Sequence, residues 1–435
     1  MANRGEIARR VIRTAKRMGI RTIAVHSDVD AGLPFVLEAD EAVAIGAALS
    51  YRNGDAILAA AKQTGAAAIH PGYGFLSENA AFAASVEDAG LTWVGPSSGA
   101  IAAMGDKINA RNLMAAAGVP VAPGTTEPSG SLDSALSYAA DIGYPVMIKA
   151  SAGGGGMGMA PVFDAAGFPA EYEKVRAFAE RMFGDGSVLI EKYFPSVRHI
   201  EVQILGLADG TVVALGEREC SVQRRNQKLV EESPSPASML TPSRRTALHA
   251  AAVRAGEAVN YRNAGTVECL LDPSTGDFFF LEMNTRLQVE HPITEAVFGI
   301  DLVEAQLRVA AGLPVSVPPA PTGHAIELRI NAEDPKRFLP GPGLITTWTE
   351  PSGPGIRVDS GYAAGVAVTP HYDSLMAKLI AYGATRDEAI ARLRSAVAAF
   401  EIAGPKNNLA FFAELLENPE FLSGDYDTAI VSRMR

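Results

Sequence analysis

The sequence is poor in cysteine, and it has no long apolar run. Its 435 residues include only two cysteines, Cys220 and Cys269, which excludes a scaffold built on disulfides and predicts a reducing compartment. No stretch of about 18 apolar residues occurs, and the polar residues Asn3, Arg4 and Glu6 open the chain, which argues against a membrane span and a signal peptide. These absences predict a soluble, cytoplasmic protein without a membrane partner.

Positive charge is also scarce, and this limits the partners. The chain has 38 Lys and Arg against 49 Asp and Glu, a formal net charge of −11, and its pI is near 5.3. This balance argues against general nucleic-acid binding. Any phosphate must therefore be recognised by a few placed cations and by backbone N–H groups. Hydrophobic residues make up 48% of the chain, enough for two or three domains with cores of their own.

Helical and strand patterns alternate in the first hundred residues. Helices are predicted over 6–18 and 54–63 and strands over 21–26 and 66–70, an order typical of a doubly wound parallel sheet. No apolar strand precedes Asn3, although such domains usually feed their first helix from a central strand. We therefore expect a missing first strand, and truncation explains it better than a fold that tolerates unpaired neighbouring edges.

The remainder of the chain changes character twice. Strands and hairpins dominate from 144 to 284, interrupted by a helical pattern at 242–261, and a proline-rich segment at 314–321 follows. A new unit with strands and a long helix begins at His324. The pattern predicts a central domain and a C-terminal domain, both of mixed α+β type, after the N-terminal α/β domain.

The most informative motif is the segment Glu282–Pro292, which follows an apolar strand at Asp277–Leu281. On a strand every second side chain points the same way, so Glu282, Asn284 and Arg286 are predicted to form one row. Carboxylate and amide oxygens are ligands that Mg²⁺ prefers, and an arginine beside them can hold a planar oxyanion. The row predicts a metal–phosphate site with a second anion next to it.

Glu268 is a lone acidic residue in the apolar stretch 265–271. A buried carboxylate needs a partner, and a metal shared with Glu282 across a hairpin would supply one. The sequence therefore predicts that these two carboxylates lie on paired strands.

A run of glycines at 153–158, interrupted by Met157, follows an apolar strand that contains Lys149. Glycines let a backbone approach phosphates closely, and the lysine adds a charge. The run is not a Walker loop, because no Gly-Lys-Ser/Thr ends it. Alone it could be a flexible linker, but together with Lys149 and the Glu–Asn row it indicates nucleotide binding.

Three further segments each admit two interpretations. Glu191–Phe194 is either an interdomain hinge that holds an adenine edge or an ordinary amphipathic strand. His199, in the alternating stretch 198–203, is either a ligand or a structural side chain. The cationic run 223–228 either lines an anionic cleft, which we favour, or forms a solvated face.

Taken together, these motifs resemble the biotin carboxylase family, a branch of the ATP-grasp ligases. The resemblance covers nearly the whole chain, and its most specific parts are 282–292 and 220–228. It implies an N-terminal biotin carboxylase domain over 1–104, an ATP-grasp domain over 105–312 and a C-terminal domain over 322–431. It also implies carboxylation of biotin by bicarbonate through carboxyphosphate, with ATP and Mg²⁺ or Mn²⁺.

The resemblance assigns binding roles residue by residue. The residues it places around ATP are Lys107, Lys149, Gly154, Gly155, Gly156, Gly158, Glu191, Lys192, Phe194, His199, Gln223 and Asn226. The residues it places around the metal are Glu268, Glu282 and Asn284. Those it places around bicarbonate are Arg286, Gln288 and Val289.

The chemical roles follow from the same resemblance. Glu290 would deprotonate bicarbonate, which strengthens it as a nucleophile. Lys228 would lie near carboxyphosphate and the biotin carbonyl, and Arg329 would stabilise the biotin enolate oxygen. Bicarbonate itself is a poor electrophile, so the task of the protein is mostly positioning and charge stabilisation.

Two positions depart from the family pattern. Met157 stands where Lys or Arg is expected in the glycine loop, which removes a phosphate cation. Asn226 replaces a common histidine, but both side chains can hydrogen-bond a ribose or phosphate oxygen.

The sequence also suggests partners. It has no biotinylation segment of the Met-Lys-Met type, so biotin is expected on a separate biotin carboxyl carrier protein or domain. The resemblance further implies a carboxyltransferase subunit and a homodimer, within an acyl-CoA, pyruvate or urea carboxylase. The rival interpretations are an ATP-grasp ligase with another acceptor, against which 286–290 and Arg329 argue, and an inactive ATP-binding subunit.

Overall fold

The computed structural model describes residues 1–151 and 158–435. The predicted phosphate-loop residues Gly154, Gly155 and Gly156, and the departure at Met157, lie outside these residues. In the N-terminal part, helices alternate with four short strands: α1 (Gly5–Arg17), β1 (Ile23–His26), α2 (Pro34–Glu38), β2 (Glu41–Ala44), α3 (Gly54–Thr64), β3 (Ala68–Ile69), α4 (Ala80–Asp88), β4 (Thr92–Trp93) and α5 (Ser98–Gly105).

The N-terminal strands form two parallel pairs, β1 with β2 and β3 with β4. Residues 1 and 2 hydrogen-bond to both pairs. The Met1 ammonium donates to the carbonyl of Ile23 at 2.7 Å, and the Ala2 amide donates to the carbonyl of His70 at 2.9 Å. The predicted parallel α/β unit is confirmed, and these two residues lie where the sequence analysis expects a central strand.

The central part begins with helices and a small sheet. Its first elements are α6 (Lys107–Ala116), α7 (Leu132–Ile142), β5 (Val146–Ala150), β6 (Met159–Val162), α8 (Phe168–Phe183) and β7 (Val188–Lys192). The three strands form an antiparallel sheet in the order β6–β5–β7. Val146, Ile148 and Ile190 of this sheet are fully buried against Phe168 and Tyr172 of α8, so that the alternate residues of β5 and β7 are free to face a ligand.

A larger sheet joins the central part to the C-terminal part. The remaining central elements are β8 (Arg198–Gly206), β9 (Val212–Arg224), β10 (Gln227–Ser233), α9 (Pro242–Glu257), β11 (Asn263–Leu271), β12 (Phe278–Asn284), α10 (His291–Phe298) and α11 (Leu302–Ala310). The C-terminal elements are β13 (His324–Asn331), β14 (Gly343–Leu344), β15 (Thr347–Thr349), β16 (Ile356–Ser360), β17 (Ala367–Val368), β18 (Leu375–Gly383), α12 (Arg386–Ala399), β19 (Glu401–Ala403), α13 (Leu409–Leu415), α14 (Pro419–Ser423) and α15 (Ile430–Arg433).

Eight of these strands form one antiparallel sheet in the order β12–β11–β8–β9–β10–β13–β18–β16. One face of β8, with Ile200, Val202 and Ile204, packs in a core with α9. On the opposite face, Leu205 packs in a core with residues of α10 and α11 at one end of the sheet. The rest of that opposite face carries polar and charged side chains, and it is where the candidate site lies.

The cationic run at 223–228 forms a hairpin in this sheet. Gln223 and Arg224 end β9, Gln227 and Lys228 begin β10, and Arg225 with Asn226 makes the turn with positive φ angles of 49° and 63°. The run is therefore the tip of a hairpin that points Lys228 at the polar face. No helix within the described residues is long and apolar enough to cross a membrane.

Candidate active site

One face of the eight-stranded sheet carries a row of ionisable side chains. Register pairs place Glu201 opposite both Arg218 and Glu268, and Glu231 opposite Glu327. Directly paired residues share a face, so the row is continuous across neighbouring strands. Its members are His199, Glu201, Arg218, Lys228, Glu231, Glu268, Glu327, Arg329 and Lys378.

Lys228 is the centre of this row. Its ammonium donates to Glu201 Oε2 at 2.6 Å, to Glu268 Oε1 at 2.9 Å and to Glu290 Oε1 at 2.7 Å. Burial alone would lower the pKa of Lys228, but the surrounding carboxylates raise it well above its usual value. The lysine stays charged, and it connects the predicted metal ligand Glu268 with the predicted base Glu290.

Arg218 donates hydrogen bonds to side chains around Lys228, and this arginine is absent from the predictions made from the sequence. Its fully buried guanidinium donates to Glu201 Oε1 at 2.5 Å, to Gln203 Oε1 at 2.6 Å and to Gln288 Oε1 at 2.8 Å. These bonds fix Gln288, one of the predicted bicarbonate ligands. The available signal was an arginine between Glu217 and Glu219 in a strand that is otherwise buried.

The carboxylate of Glu268 is contacted by hydrogen-bond donors from several elements. Its Oε1 accepts from Asn284 Nδ2 at 2.9 Å and from Gln288 Nε2 at 2.8 Å, and its Oε2 lies 2.8 Å from His199 Nε2. Burial opposes ionisation, but Lys228 and His199 hold the pKa of Glu268 well below its usual value. His199 thus lies inside the site beside a predicted metal ligand, and both interpretations of this residue remain predictions.

Glu268 also lies directly opposite Glu282 across the β11–β12 hairpin, as the sequence analysis predicts. The side chain of Glu282 is exposed. Desolvation by the surrounding protein and the charge of Glu268 together raise the pKa of Glu282. Two repelling carboxylates beside the Asn284 amide form a donor set that suits a hard divalent cation, which would relieve the repulsion. The three residues therefore fit Mg²⁺ or Mn²⁺.

Arg286 is oriented by a loop rather than by a strand. β12 ends at Asn284, so strand alternation accounts for Glu282 and Asn284 only. Arg286 Nη2 donates to Asn284 Oδ1 at 2.8 Å, and its Nε donates to Glu78 Oε2 at 2.9 Å. The Thr285 amide also donates to Glu78, at 3.0 Å. Glu78 belongs to the 70–79 loop of the N-terminal part, and the sequence analysis gave it no role.

Glu290 and Arg329 meet on the other side of Lys228. Arg329 Nη2 donates to Glu290 Oε2 at 3.1 Å, and Arg329 Nε donates to Glu231 Oε1 at 2.6 Å. Burial would raise the pKa of Glu290, but Lys228 and Arg329 lower it below its usual range. The neighbouring Val289 presents its carbonyl to Lys378 Nζ at 2.8 Å. The predicted base and the predicted enolate-binding cation are thus in direct contact.

The three-stranded sheet presents a second, simpler charge pair. Lys149 on β5 hydrogen-bonds the carboxylate of Glu191 on β7, and Arg111 Nη1 lies 3.6 Å from the same carboxylate. Burial would raise the pKa of Glu191, but the charge of Lys149 lowers it below its usual value. Lys107, exposed at the first position of α6, adds to that lowering and counteracts the raised pKa of Glu282. The helix α6 contacts β12 of the larger sheet, and its Arg111 reaches Glu191 on β7 of the smaller sheet, so α6 lies between the two sheets.

Two other predicted ATP residues, Lys192 and Phe194, contact neighbours outside these charge pairs. Lys192 Nζ donates to the carbonyls of Gly143 and Tyr144 at 3.0 and 3.1 Å, and Phe194 stacks on Phe279 with ring centroids 5.0 Å apart.

The remaining three lie at the hairpin and beside the glycine loop. Gln223 Nε2 lies 3.4 Å from His199 Nδ1, whereas Asn226 is exposed at the hairpin tip. Gly158 has a φ of 68°, and a Cβ there would lie 3.0 Å from the Cβ of Ala150. Such a backbone conformation favours glycine at this position.

Three family models match consecutive segments of the chain: the biotin carboxylase N-terminal domain over 1–101, the ATP-binding domain of the carbamoyl-phosphate synthase L chain over 106–317, and the biotin carboxylase C-terminal domain over 327–433.

Relatives and solved structures agree with these models. Biotin carboxylase of Haemophilus influenzae is 48% identical, over 98% of this chain and 95% of its own length. The crystal structure of a biotin carboxylase–ATP complex from Campylobacter jejuni superposes with a TM-score of 0.95 at 43% identity, over 99% of this chain and 97% of its own.

A third protein adds information on ligands. The biotin carboxylase domain of 2-oxoglutarate carboxylase from Hydrogenobacter thermophilus, a dimer with MgADP and bicarbonate, superposes with a TM-score of 0.93 at 42% identity, over 99% of this chain and 96% of its own. The chain belongs to the biotin carboxylase family. The family, the fold class and the ligase activity predicted from the sequence are confirmed.

Proposed function

We propose that this chain catalyses the first half-reaction of a biotin-dependent carboxylase, the ATP-dependent carboxylation of carrier-bound biotin by bicarbonate. The observation that carries the proposal is the position of Lys228, whose ammonium contacts both Glu268 on the metal side and Glu290 on the biotin side. A single cation that spans the two sides suits an intermediate that is made on one side and consumed on the other.

The first step joins bicarbonate to the terminal phosphoryl group of ATP. Arg286 exchanges Glu78 for bicarbonate, and Gln288 and the Val289 backbone complete its binding. Glu290 takes the proton of bicarbonate, a bicarbonate oxygen attacks the γ-phosphorus, and ADP leaves as carboxyphosphate forms. A divalent cation held by Glu268, Glu282 and Asn284 would neutralise phosphate charge.

Glu290 is a weak base while Lys228 and Arg329 both contact it, because these cations lower its pKa. Phosphate oxygens offer Lys228 a stronger anionic partner. We infer that the lysine turns toward them when ATP binds, and that the pKa of Glu290 then rises toward the value a base needs.

The second step transfers the carboxyl group. The ureido nitrogen of biotin attacks the carbonyl carbon of carboxyphosphate, the bond from that carbon to the phosphate oxygen breaks, and the leaving phosphate takes up the ureido proton. Arg329 binds the ureido oxygen, where negative charge develops. Its remaining guanidinium donors are free for this because Glu231 and Glu290 engage only Nε and Nη2.

Partners and location extend the proposal. Biotin arrives on a separate biotin carboxyl carrier protein or domain, a carboxyltransferase subunit uses the product, and the chain forms a homodimer. The dimeric biotin carboxylase domain of 2-oxoglutarate carboxylase supports the homodimer. We further propose domain boundaries of 1–104, 105–312 and 322–431, and a cytoplasmic location, supported by Cys220 and Cys269, which are both buried and unpaired.

The decisive experiment replaces Arg286 with alanine. Arg286→Ala should lower biotin carboxylation about a hundred- to a thousandfold, because it removes the cation for bicarbonate, while ATP binding stays within about twofold of wild type. Carboxylation is measured with free biotin and labelled bicarbonate, and ATP binding by calorimetry. Glu78→Gln keeps an oxygen acceptor for the Thr285 amide but removes the charge that pairs with Arg286, so it is the matched control and should stay active.

Three results would contradict the proposal. Retained carboxylation in Arg286→Ala would remove the bicarbonate assignment. ATP hydrolysis that responds to neither bicarbonate nor biotin would instead favour a ligase with another acceptor, and no turnover at all would favour an inactive ATP-binding subunit.

A further inference from the structure

Two buried carboxyl groups near Arg329 have oxygen atoms that lack hydrogen-bond partners within the described residues. Glu231 on β10 and Glu327 on β13 are register partners, and both are fully buried. Directly opposed residues in an antiparallel pair have Cβ atoms about 4.5–5.5 Å apart. Within the described residues, Glu231 Oε2 and both oxygens of Glu327 have no hydrogen-bond partner.

The charged groups around this pair are already engaged elsewhere. Lys228, on β10, binds three carboxylates, none of them Glu231 or Glu327. Lys378, on β18, binds the Val289 carbonyl and lies 3.0 Å from Glu6.

The remaining charges near the pair are those of Arg329 on β13 and of Glu290 before α10. Arg329 donates to Glu231 Oε1 and to Glu290 Oε2, so its contacts also leave Glu327 without a cation. An ionised Glu327 would be an uncompensated charge in the interior, which proteins avoid by keeping such a group neutral.

The two carboxyl groups differ in what they can do. Glu231 accepts from a guanidinium, which favours its ionised form, whereas Glu327 touches no cation. As an acid, Glu327 has one O–H to donate, and the free Oε2 of Glu231 is the acceptor directly opposite. Burial raises the pKa of Glu327 well above its usual value despite Lys378, and it raises the pKa of Glu231 to about 7 despite Arg329. Both directions agree with one proton shared between two carboxyl groups.

We propose that Glu327 is a positioning residue for biotin carboxylation, which as a neutral carboxylic acid donates a hydrogen bond to Glu231 and so fixes the orientation of Arg329. The proposal rests on the proposed function, because it assigns Arg329 to the biotin oxygen. Glu231 then has both oxygens engaged, one by Arg329 and one by Glu327, and it can hold only one edge of the guanidinium. The other donors of Arg329 keep a constant direction toward biotin.

The test compares an isostere that keeps the donor with one that removes it. Glu327→Gln retains a donor for Glu231 and carries no charge, so the KM for biotin should stay within about twofold of wild type. Glu327→Leu removes the donor, so the KM for biotin should rise about tenfold or more, as expected for a lost hydrogen bond to a charged group. The KM for ATP should stay unchanged in both variants, because Arg329 does not serve ATP.

Two further readouts separate positioning from mere structural support. In the wild type, kcat/KM for biotin should fall at alkaline pH as the shared proton is lost, and this fall should move to higher pH in Glu327→Gln. The infrared carbonyl band of a protonated, buried carboxyl should be present in the wild type at neutral pH and absent from Glu327→Gln. The band needs no turnover, so it also decides the case if Glu327→Leu does not fold.

The outcomes divide cleanly. A Glu327→Gln variant that loses biotin affinity as strongly as Glu327→Leu, or a Glu327→Leu variant that keeps it, would overturn the positioning role. If the infrared band persists in Glu327→Gln, Glu327 is not the protonated carboxyl group. That result would leave the proposed function intact. A wild-type protein with no biotin-dependent turnover would overturn the proposed function and, with it, the role of Glu327 in biotin binding.

Discussion

The eight-stranded sheet and the three-stranded sheet each carry a lysine, and the two lysines differ in their partners and in their exposure. Lys228 on the eight-stranded sheet is surrounded by three carboxylates, and its side chain is only 11% exposed. Lys149 on the three-stranded sheet pairs with the single carboxylate of Glu191, and both side chains are about a quarter exposed, at 23% and 22%. Lys107, between the sheets, is exposed.

The difference separates two kinds of site. Around Lys228 the protein supplies both signs of charge, so this lysine has anionic partners of its own before substrates arrive. Around Lys149 the positive groups outnumber the one carboxylate, because Arg111 and Lys107 also act on Glu191. A phosphate chain would balance this excess, so the second region depends on its ligand.

The largest expected effect tests whether Lys228 is structural as well as catalytic. Lys228→Met leaves Glu201, Glu268 and Glu290 without their shared cation, and the free energy of unfolding should fall by about 3–5 kcal/mol. Chemical denaturation followed by circular dichroism measures the change. If the variant is as stable as wild type, these carboxylates do not depend on the charge of Lys228. The two lysines would then not differ in their contribution to stability.

A smaller effect is expected from the matched change in the other sheet. Lys149→Met should change the free energy of unfolding by no more than about 1 kcal/mol, because one partly exposed ion pair is lost. ATP affinity should fall about tenfold or more, because the variant loses a charge-assisted bond to phosphate. Titration calorimetry with ATP and the same denaturation experiment check both statements. A large loss of stability with unchanged ATP affinity would reverse the comparison.

The smallest expected effect is a change in how steeply the free energy of unfolding depends on pH. The pKa of Glu290 is lowered in the folded protein, so its contribution to stability is present above the unfolded value near 4.3 and is lost as the pH falls through the lower, folded value. One such group contributes at most about 1.4 kcal/mol per pH unit.

Glu290→Gln should therefore flatten the fall in unfolding free energy below about pH 5. Glu173→Gln, an exposed change on α8, is the control and should leave the slope as it is. Equal slopes in wild type and Glu290→Gln would show that the cluster does not hold this carboxylate ionised.

Local periodicity explains which parts of the site could be predicted. Alternation on one strand predicts that His199, Glu201 and Gln203 share a face, and in the structure Glu201 and Gln203 both accept from Arg218. The turn signal between two apolar runs predicts a hairpin, and Glu268 and Glu282 are register partners across it. Both inferences need only the geometry of neighbouring residues.

Contacts between distant strands could not be predicted in this way. Arg329 meets Glu231 because β13 lies beside β10, although 98 positions separate the two residues. Glu78 reaches Arg286 from a loop 208 positions away. Neither contact leaves a periodic signal in the sequence, since each depends on where whole elements pack.

By itself, the sequence determined the chemical groups of this protein and their spacing: the positions of Glu282, Asn284 and Arg286, the strand with Lys149, the cationic run with Lys228 and the resemblance they carry. Only the tertiary structure decided which ionisable groups are in contact with one another. The eight strands do not follow chain order, so the neighbours of Lys228, the partner of Arg329 and the unpartnered oxygens of Glu327 are set by packing. The energy of a buried charge depends on the groups within a few ångströms of it, and strand order determines which groups those are.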